Sequence, residues 1–180
     1  MAICTLKGHV SRALDFYHKN DVYFGIGHPS KWNESEIDSF EKDRDYDRYP
    51  PAPKNTDELI DVIGYKKVEA RFMVVQDDTG SLEYRGTRWK IVEPSDAIKD
   101  GSRWVYISTE LAYNELPVAL PYRQLGVYSG LKLKDDVNSS LYAVLPDQVK
   151  DEGILEVLDN RKPVYRDSDV REKIKLILEF

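Results

Sequence analysis

The chain has 180 residues, 41 % apolar and 32 % charged, and its 12 Tyr, 5 Phe and 3 Trp exclude a disordered tail. That length is about one domain's worth and buries on the order of 70 % of the unfolded surface, so a core can form without covalent staples. Cys4 is the single cysteine and forms no intrachain disulfide, and 26 basic against 32 acidic residues, a net charge of −6, argue against a general nucleic-acid binder.

Residues 7–19 carry Val10, Leu14 and Tyr17 at helical spacing, with Ala13 and Phe16 widening the stripe. Ser11 or Gly8 offers a start and Asn20-Asp21 a stop. Residues 22–26 read as a short buried strand closed by Gly27-His28-Pro29. From 32 to 55 the periodicity vanishes, as acidic residues from Glu34 to Asp47 interleave with Lys42, Arg44 and Arg48 before Pro50, Pro51 and Pro53. This predicts a long surface loop, with one helical turn around 35–40; loops of such length are usually functional or partly disordered. Trp32, Phe40, Tyr46 and Tyr49 are its candidate partner contacts, set against the plainer reading that they pin the loop to its own domain.

Residues 56–63 suggest a short helix capped by Thr56, with Leu59, Ile60 and Ile63 inward. Strands then dominate. Val68, Ala70, Phe72 and Val74 alternate with Lys67, Glu69, Arg71 and Met73, which predicts a half-buried strand with the first set inward. Asp77-Asp78-Thr79-Gly80 supplies turn chemistry, 82–84, 89–92 and 104–107 continue a meander, and Asp100-Gly101 makes another turn. Pro117 and Pro121 bracket a connection before a strand at 122–131 with Leu125, Val127 and Leu131 on one face. A strand at 154–158 ends in a turn at Asp159-Asn160, and Pro163 breaks the chain again. In 173–180, Ile174, Leu176, Leu178 and Phe180 oppose Lys173, Lys175 and Glu179; a helix capped by Ser168 also fits, but the unbroken alternation favours a strand whose apolar end is tied into the core. The expectation is a mainly-β (α+β) fold, one antiparallel β-sandwich-like domain over 1–180 with an N-terminal helix.

Reactive constellations are sparse. His9, His18 and His28 are scattered and Cys4 has no second cysteine, so no metal site is expected. Asp43, Asp45 and Asp47 open like a calcium loop, but Arg48 and Lys54 stand where Gly and Glu are needed. Gly126-Val127-Tyr128-Ser129-Gly130 has the wrong setting for a nucleophile elbow, and Gly25-x-Gly27 runs into His28-Pro29 rather than a phosphate-binding helix. Paired carboxylates for glycoside cleavage have no spacing to support them. No run approaches the ~18 apolar residues of a membrane helix, and Met1-Ala2-Ile3-Cys4 opens no signal peptide. No catalytic residue, metal or cofactor is therefore expected, and binding by surface is favoured, through the aromatic loop and exposed strand edges.

Three segments add a resemblance. They are Ala13-Leu14-Asp15-Phe16-Tyr17 with 22–29 and Trp32-Asn33-Glu34; Tyr122-Arg123-Gln124-Leu125 up to Leu131; and 154–180 with Asp159-Asn160-Arg161-Lys162-Pro163-Val164. In that order they resemble the baseplate wedge protein of T4-like contractile-tailed bacteriophages, as a shortened relative of the dimeric peripheral wedge subunit that lacks a large middle insertion. The resemblance implies a β-rich homodimer in the virion's tail baseplate, made in the host cytoplasm. It implies other baseplate wedge proteins as partners, no nucleic acid, no membrane and no enzymatic activity. The alternatives are a carbohydrate-binding module at a phage tail tip, with Trp32, Trp89 or Trp104 as stacking platform, a small cell-wall hydrolase, and a different baseplate or tail-completion component.

Overall fold

The computed structural model describes residues 3–33, 49–50, 52, 55–117, 120–167 and 169–180. In chain order its elements are α1 (Leu6–His18), β1 (Val22–Gly27), β2 (Gly64–Lys67), β3 (Ala70–Gln76), β4 (Leu82–Tyr84), β5 (Thr87–Val92), α2 (Ala97–Asp100), β6 (Trp104–Leu111), β7 (Tyr122–Ser129), β8 (Lys132–Leu133), β9 (Ala143–Val144), β10 (Val149–Asp151), β11 (Ile154–Val164) and β12 (Glu172–Glu179). Strand accounts for 43 % of the described residues, well above the ~20–25 % of an average globular protein, so the fold is mainly β with an N-terminal helix, as expected. Two compact units form: one from 1–19, 68–110 and 173–180, the other from 20–67 and 111–172. The chain passes between them after Lys19, Lys67, Glu110 and Glu172, so neither unit is a contiguous piece.

In the first unit the strands run in the order β12-β6-β3-β5-β4. Helix α1 begins not at Gly8 or Ser11 but at Thr5, whose hydroxyl accepts the Gly8 N–H at 3.2 Å. Its fully buried stripe is Val10, Ala13 and Phe16, with Leu14 and Tyr17 only half-buried. The β3 alternation holds only in part: Val74 is buried as expected, but Met73 is fully buried as well and Phe72 is 37 % exposed. Arg71 gives the reason. It lies on the Met73 face and donates to the Phe16 and Lys19 carbonyls at 3.0 and 2.7 Å, capping the C-terminal end of α1. The helix therefore covers the face holding Met73 and its cross-strand partners Val92 and Val105. The Asp77 turn forms as expected, its carboxylate accepting the Thr79 N–H and hydroxyl at 2.8 and 2.6 Å. The expected turn at Asp100-Gly101 closes the short helix α2, with Gly101 left-handed at φ 65°. Ile174, Leu176 and Leu178 of β12 are buried, as the terminal alternation predicts, and the Phe180 ring lies 5.1 Å from that of Phe16.

The second unit holds a sheet ordered β11-β7-β1-β2-β9 and the small pair β10-β8. Strand β7 is buried along its whole length on both faces. It pairs antiparallel with β1 in the register Tyr23↔Tyr128, Gly25↔Gly126 and Gly27↔Gln124, which puts the three glycines on one face. A Cβ at Gly27 would sit 2.8 Å from the Ile60 carbonyl oxygen, and one at Gly25 would sit 2.6 Å from Leu59 Cδ1 and Tyr128 Cε2. The glycines thus form a floor on which 59–61 rest. Leu59 fills the space between Tyr23, Tyr65, Tyr128, Leu131 and Val144.

Three expectations fail here. Residues 56–63 form bends rather than a helix; Leu59 and Ile63 do point inward, but Ile60 is 42 % exposed. An α-helix would spend the Ile60 N–H and carbonyl locally, whereas both bond across the sheet, to Gln124 and to His28. The turn at Asp159-Asn160 is absent, because β11 runs straight through it with Asn160 opposite Gln124. Pro163 does not break the strand either; β11 is an outer strand and needs no donor on its far side.

The floor predicts a ranking. Gly27→Ala should lower unfolding stability by about 1–3 kcal/mol in urea titration, since backbone cannot yield as a side chain can. Gly126→Ala, whose Cβ would meet Leu155 Cδ1 at 2.9 Å and Leu59 Cδ1 at 3.0 Å, should cost less.

Candidate assembly surface

The candidate surface is built where the chain leaves β1 and where it returns. After Gly27, His28 adopts a left-handed φ of 58° and donates from Nδ1 to the Ser30 carbonyl at 2.8 Å; a carbonyl only accepts, so Nδ1 carries the proton. The Trp32 ring packs on the His28 ring with centroids 3.8 Å apart. Arg123 donates from Nη1 to the Pro29 carbonyl at 2.5 Å. On the return side, Asn160 Nδ2 donates to the Pro50 carbonyl at 3.0 Å. Gln124 Oε1 accepts the Ile60 N–H at 2.8 Å, and its Nε2 donates to Asn160 Oδ1 at 2.9 Å. His28 N–H donates to the Ile60 carbonyl and Ile63 N–H to the Ile26 carbonyl, both at 2.7 Å.

These contacts form one clamp. Arg123, Gln124, Asn160 and His28 are each at most 5 % exposed, and they hold main chain on both sides of residues 34–48. Buried amides cost about 1–3 kcal/mol when left unpaired, so a strand buried on both faces must place Gln124 where its amide is satisfied. Of the candidate contacts, Trp32 is partly buried on the clamp and Tyr49 is 46 % exposed beside Pro50. Phe40 and Tyr46 lie outside the described residues, as do the Asp43-Asp45-Asp47 run and the turn around 35–40. The clamp residues had a sequence signal: a Gln and an Arg inside an otherwise apolar strand require partners.

A second buried network frames the 112–117 connection. Lys66, only 2 % exposed, pairs with Glu115 at 2.8 Å, and its ammonium lies 5.6 Å from the Tyr142 ring centroid. Glu115 also accepts the Ala112 N–H at 2.9 Å, while Arg166 donates to the Ala112 and Leu116 carbonyls at 2.9 and 3.3 Å. Beside it an open, largely apolar groove of about 580 Å³ is lined by residues including Leu116, Pro117, Leu141, Tyr142 and Leu145. Among the described residues no group of three or more His, Cys, Asp or Glu could hold a metal ion. Trp89 and Trp104 pack edge to face, 5.7 Å apart at 68°.

Clamped main chain and a buried ion pair place the chain in the class of mainly β proteins whose buried polar side chains are spent on holding structure. The comparisons with known proteins give that class its place. The family model described as "Baseplate wedge 3 tail fiber network component" matches residues 1–180. The chain is also 32 % identical over 186 residues to "Virion protein 3" of Enterococcus phage phiEF24C, covering 99 % of this chain and 94 % of that protein. The chain belongs to the baseplate wedge 3 tail fiber network component family and is a structural protein of the phage virion.

Gln124→Leu should leave the Ile60 N–H and Asn160 Oδ1 without the bonds Gln124 gives them and lower stability by about 1–3 kcal/mol. Adding Asn160→Leu should cost less than its single effect, since the two act as one unit. Faster hydrogen exchange at the Ile60 amide is the local readout.

Burial, reinforced by Glu152, raises the hydroxyl of Tyr65 well above the usual tyrosine range, and burial beside Glu172 does the same for Tyr122. Tyr128 is pushed up to about 12, again chiefly by burial. The unfolded chain loses these protons near pH ~10 while the fold retains them, so stability is full below ~10 and falls as pH rises toward the folded values. A late phenolate absorbance step that coincides with loss of circular dichroism is the expected result.

Proposed function

We propose that this chain is a wedge subunit of a contractile-tail baseplate that acts without catalysis, as a homodimer joining neighbouring wedge and tail-fibre-network components. The observation that carries the reading is the family match across residues 1–180. The geometry supports it: the clamp bonds main chain at His28, Pro29, Pro50 and Ile60, on both sides of residues 34–48. Trp32, Phe40, Tyr46 and Tyr49 are the proposed contact residues, because large amphipathic rings bury much area for little lost entropy.

A baseplate subunit must transmit strain without unfolding. The four passages of the chain between its two units favour folding as a single domain, since neither unit can be cut away as one piece. Assembly would take place in the host cytoplasm and involve neither membrane nor nucleic acid, in keeping with the net charge of −6.

A density map of the intact tail tests the reading directly, with the chain expected in the baseplate; particles that lack it would overturn it. In complementation, Trp32→Ala with Tyr49→Ala should reduce incorporation into tails severalfold. Tyr49→Ala alone should keep its melting temperature to within a few degrees, whereas Trp32→Ala, which also removes the ring packed on His28, should lower it further; a loss of incorporation with Tyr49→Ala is therefore a loss of contact and not of fold.

A further inference from the structure

We propose that β12 is the surface through which a second copy of this chain binds, strand against strand and antiparallel, centred on Leu176. The inference rests on the homodimer in the proposed function and names its interface.

The starting point is a comparison of the outer edges of the two five-stranded sheets. β4 has three residues and β9 two, and β11 carries Pro163 and shifts of register. Short strands, prolines and bulges are the devices by which sheets avoid pairing with other chains. β12 has none of them. It is eight residues long, without proline or glycine, and ends its sheet beyond β6. The Phe180 N–H donates to the Arg103 carbonyl at 3.1 Å, on the β6 side. Backbone groups alternate in direction along a strand, so those of Ile174, Leu176 and Leu178 face β6 and those of Lys173, Lys175, Ile177 and Glu179 face outward.

Charge then selects both partner and register. Two copies whose apolar faces match must pair odd with odd and even with even positions. Centring on Leu176 sets Lys173 opposite Glu179 at both ends, Lys175 opposite Ile177, and Ile174 opposite Leu178, so the buried faces join. Centring on Lys175 would set that lysine against itself, and centring on Ile177 would pair only 175–179 of the strand. Lysines alone would guard the edge; Glu179 at the far end makes it self-complementary. Arg103 holds that carboxylate in place at 2.8 Å while leaving it largely exposed.

The test is sedimentation of the full-length chain at micromolar concentration. Wild type should be a dimer. Lys173→Glu and Glu179→Lys, each checked for folding by circular dichroism, should each weaken self-association by about tenfold or more, through two repulsive pairs. An equimolar mixture of the two should restore the dimer, since each edge then meets its opposite charge; a purely structural role would not be rescued by mixing. Ile177→Pro, which removes one outward N–H and no bond to β6, should also give a monomer. A monomeric wild type, single variants that dimerise like wild type, or a mixture that stays monomeric overturns the β12 pairing. The baseplate reading fails separately, on whether tails contain the chain at all.

Discussion

Three glycines on one face of β1 and β7 set the conditions for the second unit. With Gly25, Gly27 and Gly126 lacking side chains, the backbone of 59–61 lies directly on the sheet instead of above a layer of side chains. That contact covers β7, and β7 then has no solvent on either face. Polar groups along it therefore call for partners within the protein. Gln124 finds Ile60 and Asn160, Arg123 finds Pro29, and Ser129 finds Glu156. The clamp is therefore a consequence of the floor: burial comes first, and satisfying the buried amides fixes where the flanking segments lie.

The two effects differ in what they specify. Hydrophobic filling by Leu59 is non-directional and would tolerate a slide of the segment by an ångström. The Gln124 amide is directional. It bonds the Ile60 N–H with one end and Asn160 with the other, so it sets the register of 59–61 against β7 and β11 together. The Ile60 carbonyl is taken by the His28 N–H, and His28 in turn stacks on Trp32. One residue of the return strand thus ties the outgoing side to the incoming side.

What the sequence makes legible follows the same division. Local chemistry reads well: the Asp77 turn, the left-handed Gly101 and the alternation of β12 need no distant partner to be recognised. Tertiary demands do not. Phe72, Met73, Val74 and Val75 are four apolar residues in a row, so alternation alone cannot choose the inner face; Arg71 chooses it by reaching the end of α1. The 56–63 segment has helical spacing but is held in bends by bonds to β7 and β1. Asp159-Asn160 has turn chemistry, yet Asn160 is used across the sheet as the partner of Gln124. At the candidate surface the aromatic residues announce themselves by type, while the clamp is visible in sequence only as polar residues interrupting an apolar run.

The segments that carry the family resemblance, around His28-Pro29, Trp32, Arg123-Gln124 and Asn160, are separated by up to about 130 residues in sequence and converge on this clamp. None of them is a chemical signature, and none needs to be. A subunit that works by holding neighbours must hold its own segments first. Residues that bond main chain to main chain across a sheet do this whatever side chains the held segments present. The residues of a bracketed segment can then change while the bracket keeps its bonds to main chain. Where a structural protein is concerned, the pattern to seek in sequence is thus a set of buried amides and guanidinium groups that fix backbone, with aromatic residues in the segment between them.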